Sequence, residues 1–331
     1  NIYLRKSSEG QFSIEKLYEG LADHLANHQD FDIRLIVMPH FSKGFVSRMK
    51  NILFAAQQKA DIHHISGDIH YLTLAFRPAK TVLTIHDFGL MYQFKGLKLL
   101  LFTILWFKIP VWWTKKVIVI SEKTKQDLMS FVHPPEQKVE IIPNFIHPRF
   151  LEAPVHKCKD NLPCILHIGT YENKNLMRLV QALVGLDVHL HVIGKLKENQ
   201  RIYIQNKIKN FESSMNLSDV DLIDAYQNAD IVYFASTFEG FGMPILEAQA
   251  LGIPVITSNI SPMREVAGQN GACLVNPYVS SEIRNGIINI FSDINYRESL
   301  ISYGLSNVKR FTIQKFAEQH IDLYKKMKIG K

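Results

Sequence analysis

The chain has 331 residues, enough for two domains of ordinary size. Its 47% hydrophobic and 21% charged content excludes a disordered or fibrous protein. Three cysteines, Cys158, Cys164 and Cys273, lack metal-ligand spacing and are too few for a disulfide scaffold, so a reducing cytosol is expected. The net charge of +7 is uneven: residues 1–150 hold 19 Lys and Arg against 13 Asp and Glu, or +6. Most of that excess lies between Lys95 and Lys125, where Lys95, Lys98, Lys108, Lys115, Lys116, Lys123 and Lys125 face only Glu122.

In chain order, the polar opening NIYLRKSSEG shows no secretory signal pattern. A helical pattern over Ser13–Asn27 precedes strands at Ile33–Met38, Asp61–Ile65 and Thr81–His86. Further strands are expected at Val117–Ile120 and Val139–Ile142, around a helix at Glu122–Phe131. Residues 143–163 hold four prolines and little periodicity, the best linker candidate. Beyond it, strands at Cys164–Gly169, Val188–Gly194, Asp230–Ala235, Pro254–Ser258 and Ala272–Val275 alternate with helices at Asn175–Val184, Asp219–Gln227, Ile245–Leu251 and Glu282–Ile290. A helix at Thr312–Met327 ends the chain and is expected to pack back on the first domain. Strands spaced by helices predict an α/β protein of two Rossmann-like, doubly wound domains, residues 1–150 and 151–311, facing a cleft.

In such sheets ligands bind beyond the carboxyl ends of the strands. Four groups stand there: His86 with Asp87, Gly169 to Lys174, Gly194 with Lys195, and the stretch STFEGFGMPILEAQALGIPVI from Ser236 to Ile256. In the last, Gly240 and Gly242 allow close approach of backbone to a ligand, and Pro244 suits the first turn of a helix. A helix N-terminus favours an anion, and Glu239 and Glu247 bracket it. That combination suggests a ligand with both phosphate and sugar hydroxyls. The acids also suit ordinary first-turn positions, His86 a hydrogen-bonded strand end, Lys174 a solvated loop, and Asp87 a local backbone contact. The DVD at Asp219–Asp221 could hold a hard cation, but Ser218 and Asp219 read as N-cap residues.

The second half resembles the retaining glycosyltransferases of family 4, which have the two-domain GT-B fold. The stretch EGFGMPILEAQALGIPVI carries an E-x7-E motif from Glu239 to Glu247, and ILHIGTYENKNLMRLVQAL, LIDAYQNADIVYFAST and SPMREVAGQNGACLVNP extend the likeness. Residues 81–280 are well covered and the first eighty loosely. The resemblance implies that Glu247 accepts hydrogen bonds from the ribose of a nucleotide diphosphate sugar. Glu239 and the backbone of Phe241, Gly242 and Met243 would hold the donor sugar and phosphates, and Lys174 would neutralise the diphosphate. Gly10, Gly169, Thr170, Gly194, Lys195 and Val220 would complete the donor side, and His86 would stand beside the reacting carbon. Many relatives have Arg where this chain has Thr170, which moves phosphate charge onto Lys174, Lys195 or Arg264.

The implied activity is transfer of a hexose to an acceptor hydroxyl with retention, without a metal or other cofactor, in surface or capsular polysaccharide synthesis. The rival reading is a degenerate sugar-nucleotide-binding protein. The expected acceptor is a glycan or a lipid-linked sugar. Nucleic acid is not expected, since no recognition module is visible. Within 94–116, FKGLKLLLFTILWFKIPVWWTKK, apolar residues are flanked by lysines and interrupted by Lys108 and Pro110. The segment suits either an anionic membrane surface or the first domain's core. A cytoplasmic protein, peripheral on the inner face of the cell membrane, is the expectation.

Overall fold

The computed structural model describes residues 1–6, 13–26, 28–154 and 162–329, without the side chains of residues 13, 93 and 329. The chain divides into two compact units, Asn1–Phe145 with Thr312–Lys331, and Ile146–Phe311.

The first unit is built on six parallel strands: β1 (Ile2–Leu4), β2 (Leu35–Val37), β3 (His63–Ile65), β4 (Thr81–Ile85), β5 (Lys116–Val119) and β6 (Val139–Ile141). They lie in the order β2-β1-β3-β4-β5-β6, so the winding reverses between β1 and β3. Continuous apolar runs such as TVLTI suit strands covered on both faces, and β4 is buried throughout. One face packs Tyr3, Ile65, Leu83, Val117 and Phe107. The other packs Tyr18, Leu21, Val82 and Ile118 with Phe316, Leu323 and Tyr324 of the C-terminal helix Ile313–Ile329. Buried polar contacts fix that helix: the His64 ring bonds the Tyr324 hydroxyl at 2.7 Å and Thr84 Oγ1 at 2.6 Å.

The second unit holds β7 (Cys164–Ile168), β8 (His189–Ile193), β9 (Asn210–Ser214), β10 (Ile231–Phe234), β11 (Val255–Ser258) and β12 (Cys273–Val275). All pairings are parallel, in the order β12-β11-β10-β7-β8-β9. The winding reverses between β7 and β10, which is where such sheets hold ligands.

Several elements escape the sequence pattern. β1 is only three residues long, and β9 reads NFESS, a half-exposed edge strand with no apolar face. The weakly amphipathic helix Ile294–Asn307 carries no clear periodicity, and the helix Phe45–Ala56 turns several of its apolar residues outward rather than into the core. Residues Gly96–Trp113 are helical throughout, with one wider π-helical turn at Thr103–Lys108. This segment is neither all core nor all surface. Phe107 and Val111 are buried, whereas Leu97, Leu105 and Trp112 are exposed.

Candidate donor site

The site in the second unit grows from the loops after β7 and β10. β7 ends at Ile168, and Gly169 turns the chain with φ 93°. A Cβ there would stand 2.9 Å from Cγ of Lys174, so glycine lets the lysine stem lie across its own loop. A short turn over Glu172–Lys174 leads to Asn175 at φ 65°. Its buried amide donates to the carbonyls of Ala235 at 3.0 Å and Pro277 at 2.7 Å. Those bonds offset the cost of a left-handed asparagine and tie the β7 loop to the end of β10. Asn173 adds two more ties, donating to the Phe238 carbonyl at 2.9 Å and accepting from the Thr237 N–H at 2.8 Å.

With the loops fastened together, Lys174 Nζ reaches Oε1 of Glu239 at 2.6 Å. The two side chains are 20% and 13% exposed, and the ammonium also lies 4.7 Å from the Phe234 ring centroid. A cation and a carboxylate thus meet where the sheet reverses. Past Glu239, Gly242 has φ 119° and opens the helix Met243–Ala250, which carries Pro244 in its first turn. Phe241 is buried edge-on to Phe311, and Met243 is half-buried. Glu247 lies one turn into the helix, where the Tyr226 hydroxyl donates to its Oε2 at 2.5 Å. Burial, then the adjacent carboxylate, pushes the Tyr226 hydroxyl far above its ordinary pKa, so it remains a donor.

After β8, Gly194 has φ 137°, and a Cβ there would lie 3.0 Å from Cγ2 of Thr170. Thr170 Oγ1 donates to the Lys195 carbonyl at 2.7 Å, while the Lys195 side chain is exposed. Position 170 therefore braces the β7 loop against the β8 loop and offers no charge. Arg264 is half-exposed beside Glu265 at 3.0 Å. Val220 is 77% exposed in the first turn of the helix Asp219–Gln227. In that turn Ser218 caps the helix by accepting from the Asp221 N–H at 3.2 Å, and Asp219 pairs with Arg149. The DVD carboxylates are engaged in the cap and in an ion pair.

His86 belongs to the first unit, just past β4. Its Nε2 is 3.0 Å from Ser66 Oγ, and burial lowers its pKa to about 4, leaving a neutral ring at pH 7. Asp87 accepts from the Gly89 N–H at 2.7 Å, a local backbone contact. Gly10 and Cys158 lie outside the described residues. Three polar groups had no role in the sequence reading: Asn173, Tyr226 and Arg5. Arg5 follows β1 and binds Glu15 at 3.2 Å and Asp68 at 3.1 Å, where the first sheet reverses. Only their places directly after strands, or in the YQNAD stretch for Tyr226, could have flagged them.

Residues 149–306 match the model of the glycosyl transferases group 1, and residues 15–150 match that of Glycosyltransferase Family 4. Both models are of glycosyltransferases and together span most of the chain, which belongs to the glycosyltransferases. This glycosyltransferase is 36% identical over 107 residues to O-antigen chain mannosyltransferase B of Escherichia coli, covering 32% of the chain and 28% of the relative. It is 24% identical over 223 residues to the MMP alpha-(1->4)-mannosyltransferase of Mycolicibacterium hassiacum, covering 64% and 54%. The first curated relatives are thus matched over 28% to 60% of their lengths. A glycosyltransferase from Rickettsia africae superposes with a TM-score of 0.79 at 20% identity, covering 100% of this chain and 98% of that one. Anabaena HepE, solved with UDP-glucose, superposes with a TM-score of 0.76 at 16% identity, covering 98% and 99%. These likenesses establish the GT-B fold, two Rossmann-like domains.

Proposed function

We propose that this glycosyltransferase moves a hexose from a nucleotide diphosphate sugar to an acceptor hydroxyl, with retention of configuration, in the synthesis of a surface polysaccharide. The observation that carries the reading is the Lys174–Glu239 pair at the reversal point of the second sheet, with Glu247 presented by the helix that follows. Lys174 and the positive end of the helix Met243–Ala250 supply positive charge to a diphosphate. Glu247, oriented by Tyr226, accepts from the ribose hydroxyls. Glu239 and the backbone of Phe241–Met243 hold the sugar. Gly169 and Gly194 let backbone approach the phosphates, Thr170 and Lys195 flank them, and Val220 faces the base. To His86 we assign a role on the transferred sugar rather than on the nucleotide.

The bond from the anomeric carbon to the phosphate oxygen breaks as the acceptor oxygen adds on the same face. The acceptor proton passes to the departing phosphate. Catalysis then consists of positioning and of stabilising the charge that develops on the diphosphate, which Lys174 meets without a metal. The acceptor is a growing glycan or its lipid-linked precursor, and the protein works at the cytoplasmic face of the membrane. Relatives named as mannosyltransferases and a neighbour solved with UDP-glucose support a sugar-nucleotide donor and leave the base open.

A thermal-shift panel of UDP-, GDP-, ADP- and dTDP-sugars tests the donor, because a ligand held only by the folded state raises the apparent melting temperature. Transfer with the best donor, followed by NMR of the new anomeric proton, tests retention. No shift with any donor would overturn the reading, and binding without transfer to any glycan would favour a degenerate sugar-nucleotide receptor.

A further inference from the structure

The first unit carries two helices whose outward faces are apolar. On Gly96–Trp113, Leu97, Leu101 and Leu105 recur every four residues and are 70%, 50% and 61% exposed, with Trp112 at 56%. Four-residue spacing sets them in one stripe. On Phe45–Ala56, Phe45, Met49 and Leu53 form a second stripe with the same spacing, 77%, 39% and 60% exposed. Arg48 of the second helix lies 4.7 Å from the Trp106 ring of the first, so the helices are neighbours. Exposed apolar patches of this kind in a folded unit mark an interaction surface.

Charge selects the partner. No Asp or Glu lies between Asp32 and Asp61, or between Asp87 and Glu122, so both helices sit in acid-free sequence. Of the lysines near the first stripe, Lys116 pairs with Glu140, Lys123 with Asp127 and Lys125 with Glu136. Among the described residues no carboxylate pairs with Lys95, Lys98, Lys108 or Lys115. A second copy of the same face would oppose lysine to lysine, which disfavours a dimer. An anionic lipid surface satisfies both features, taking leucine and tryptophan into its apolar boundary and lysine at its headgroups. By length and composition alone Gly96–Trp113 could cross a membrane. Its Phe107 and Val111 are instead buried in the unit's core, which leaves one face for insertion.

We propose that the first unit lies on an anionic bilayer, inserting Leu97, Leu101, Leu105 and Trp112, with Phe45, Met49 and Leu53 widening the contact. Vesicle binding needs neither donor nor acceptor, so failure here leaves the transfer reading standing. The test is co-flotation of the full chain with phosphatidylglycerol–phosphatidylcholine vesicles and with pure phosphatidylcholine, at low and high salt. Wild type is expected to bind only the anionic vesicles, to be released by salt, and to lose tryptophan fluorescence with brominated lipids. Leu101→Ser/Leu105→Ser should lower partitioning by about tenfold or more, since two exposed leucines leave the boundary. Lys98→Ser/Lys108→Ser/Lys115→Ser should lower it by roughly fivefold per lysine. Phe45→Ser/Met49→Ser should weaken it as well. Absence of wild-type binding, or binding that none of these variants changes, would overturn the proposal. So would a dimer in sedimentation that Leu101→Ser/Leu105→Ser dissolves. If a variant fails to fold, the brominated-lipid quenching of wild type decides alone.

Discussion

Lys174 and Glu239 can be separated by their effects on the protein and on its ligand. At 2.6 Å, with an effective dielectric of ~20, their gross attraction is about 6 kcal/mol. Both side chains are largely shielded from water, so desolvation cancels most of that, and a coupling of about 1.5–3 kcal/mol should survive. Lys174→Met and Glu239→Gln should each destabilise the apo protein by about 2–3 kcal/mol in denaturant unfolding, and the double variant by less than the sum. Nucleotide binding should split them. Lys174→Met removes a charge-assisted bond to the diphosphate, weakening nucleoside diphosphate binding by roughly tenfold to a hundredfold in calorimetry. Glu239→Gln frees the lysine from a competing carboxylate, so affinity should hold or improve while turnover falls by about tenfold. Equal weakening by both variants would refute the assignment of Lys174 to phosphate and Glu239 to sugar.

Glu247→Ala should weaken nucleotide binding by about 1.5–3 kcal/mol, read by calorimetry, with Tyr226→Phe producing a smaller loss. His86→Ala should lower turnover by about tenfold and leave nucleoside diphosphate affinity near wild type; a large affinity loss would move His86 to the nucleotide. Transfer should survive EDTA, and loss restored by Mn²⁺ would reopen the DVD stretch as a metal site. Stability should fall as pH drops from about 6.5 to about 4, because burial lowers His167 and His320 to about 4. The folded state then binds fewer protons than the unfolded chain, and each group removes about 3 kcal/mol across that window. Denaturant midpoints independent of pH between 7 and 4.5 would contradict this.

Strand positions in the second unit were legible because buried parallel strands are continuous apolar runs, and the two Rossmann-like sheets followed from their alternation with helices. The carboxyl-end rule then placed Gly169, Lys174, Gly194 and Glu239 at the strand ends, where β7, β8 and β10 deliver them. What stayed hidden depends on contacts between segments distant in sequence. That Lys174 and Glu239 form a pair follows only once β7 and β10 lie side by side. Asn173, which zips their loops, and Tyr226, which orients Glu247, are unremarkable in sequence and acquire roles only from their partners. β9 was missed for a related reason: an edge strand with polar residues carries no burial pattern to detect.

Thr170 shows how the structure changes the meaning of a residue. As a sequence feature it was a missing arginine, which moved the expected phosphate charge onto Lys174, Lys195 or Arg264. In the fold its methyl fills the space beside Gly194, and its hydroxyl anchors the Lys195 carbonyl. An arginine here would have to give up that short bond to direct its charge at a phosphate. Its absence leaves the two glycine turns braced, which holds backbone N–H groups in fixed positions. On the proposed reading the diphosphate charge falls to Lys174, whose ammonium is held at the sheet's reversal point by Glu239 and set beside Phe234. Substituting Arg for Thr170 would add charge at the cost of that brace, so on the proposed reading a Thr170→Arg variant should gain a cation and lose the short bond to the Lys195 carbonyl.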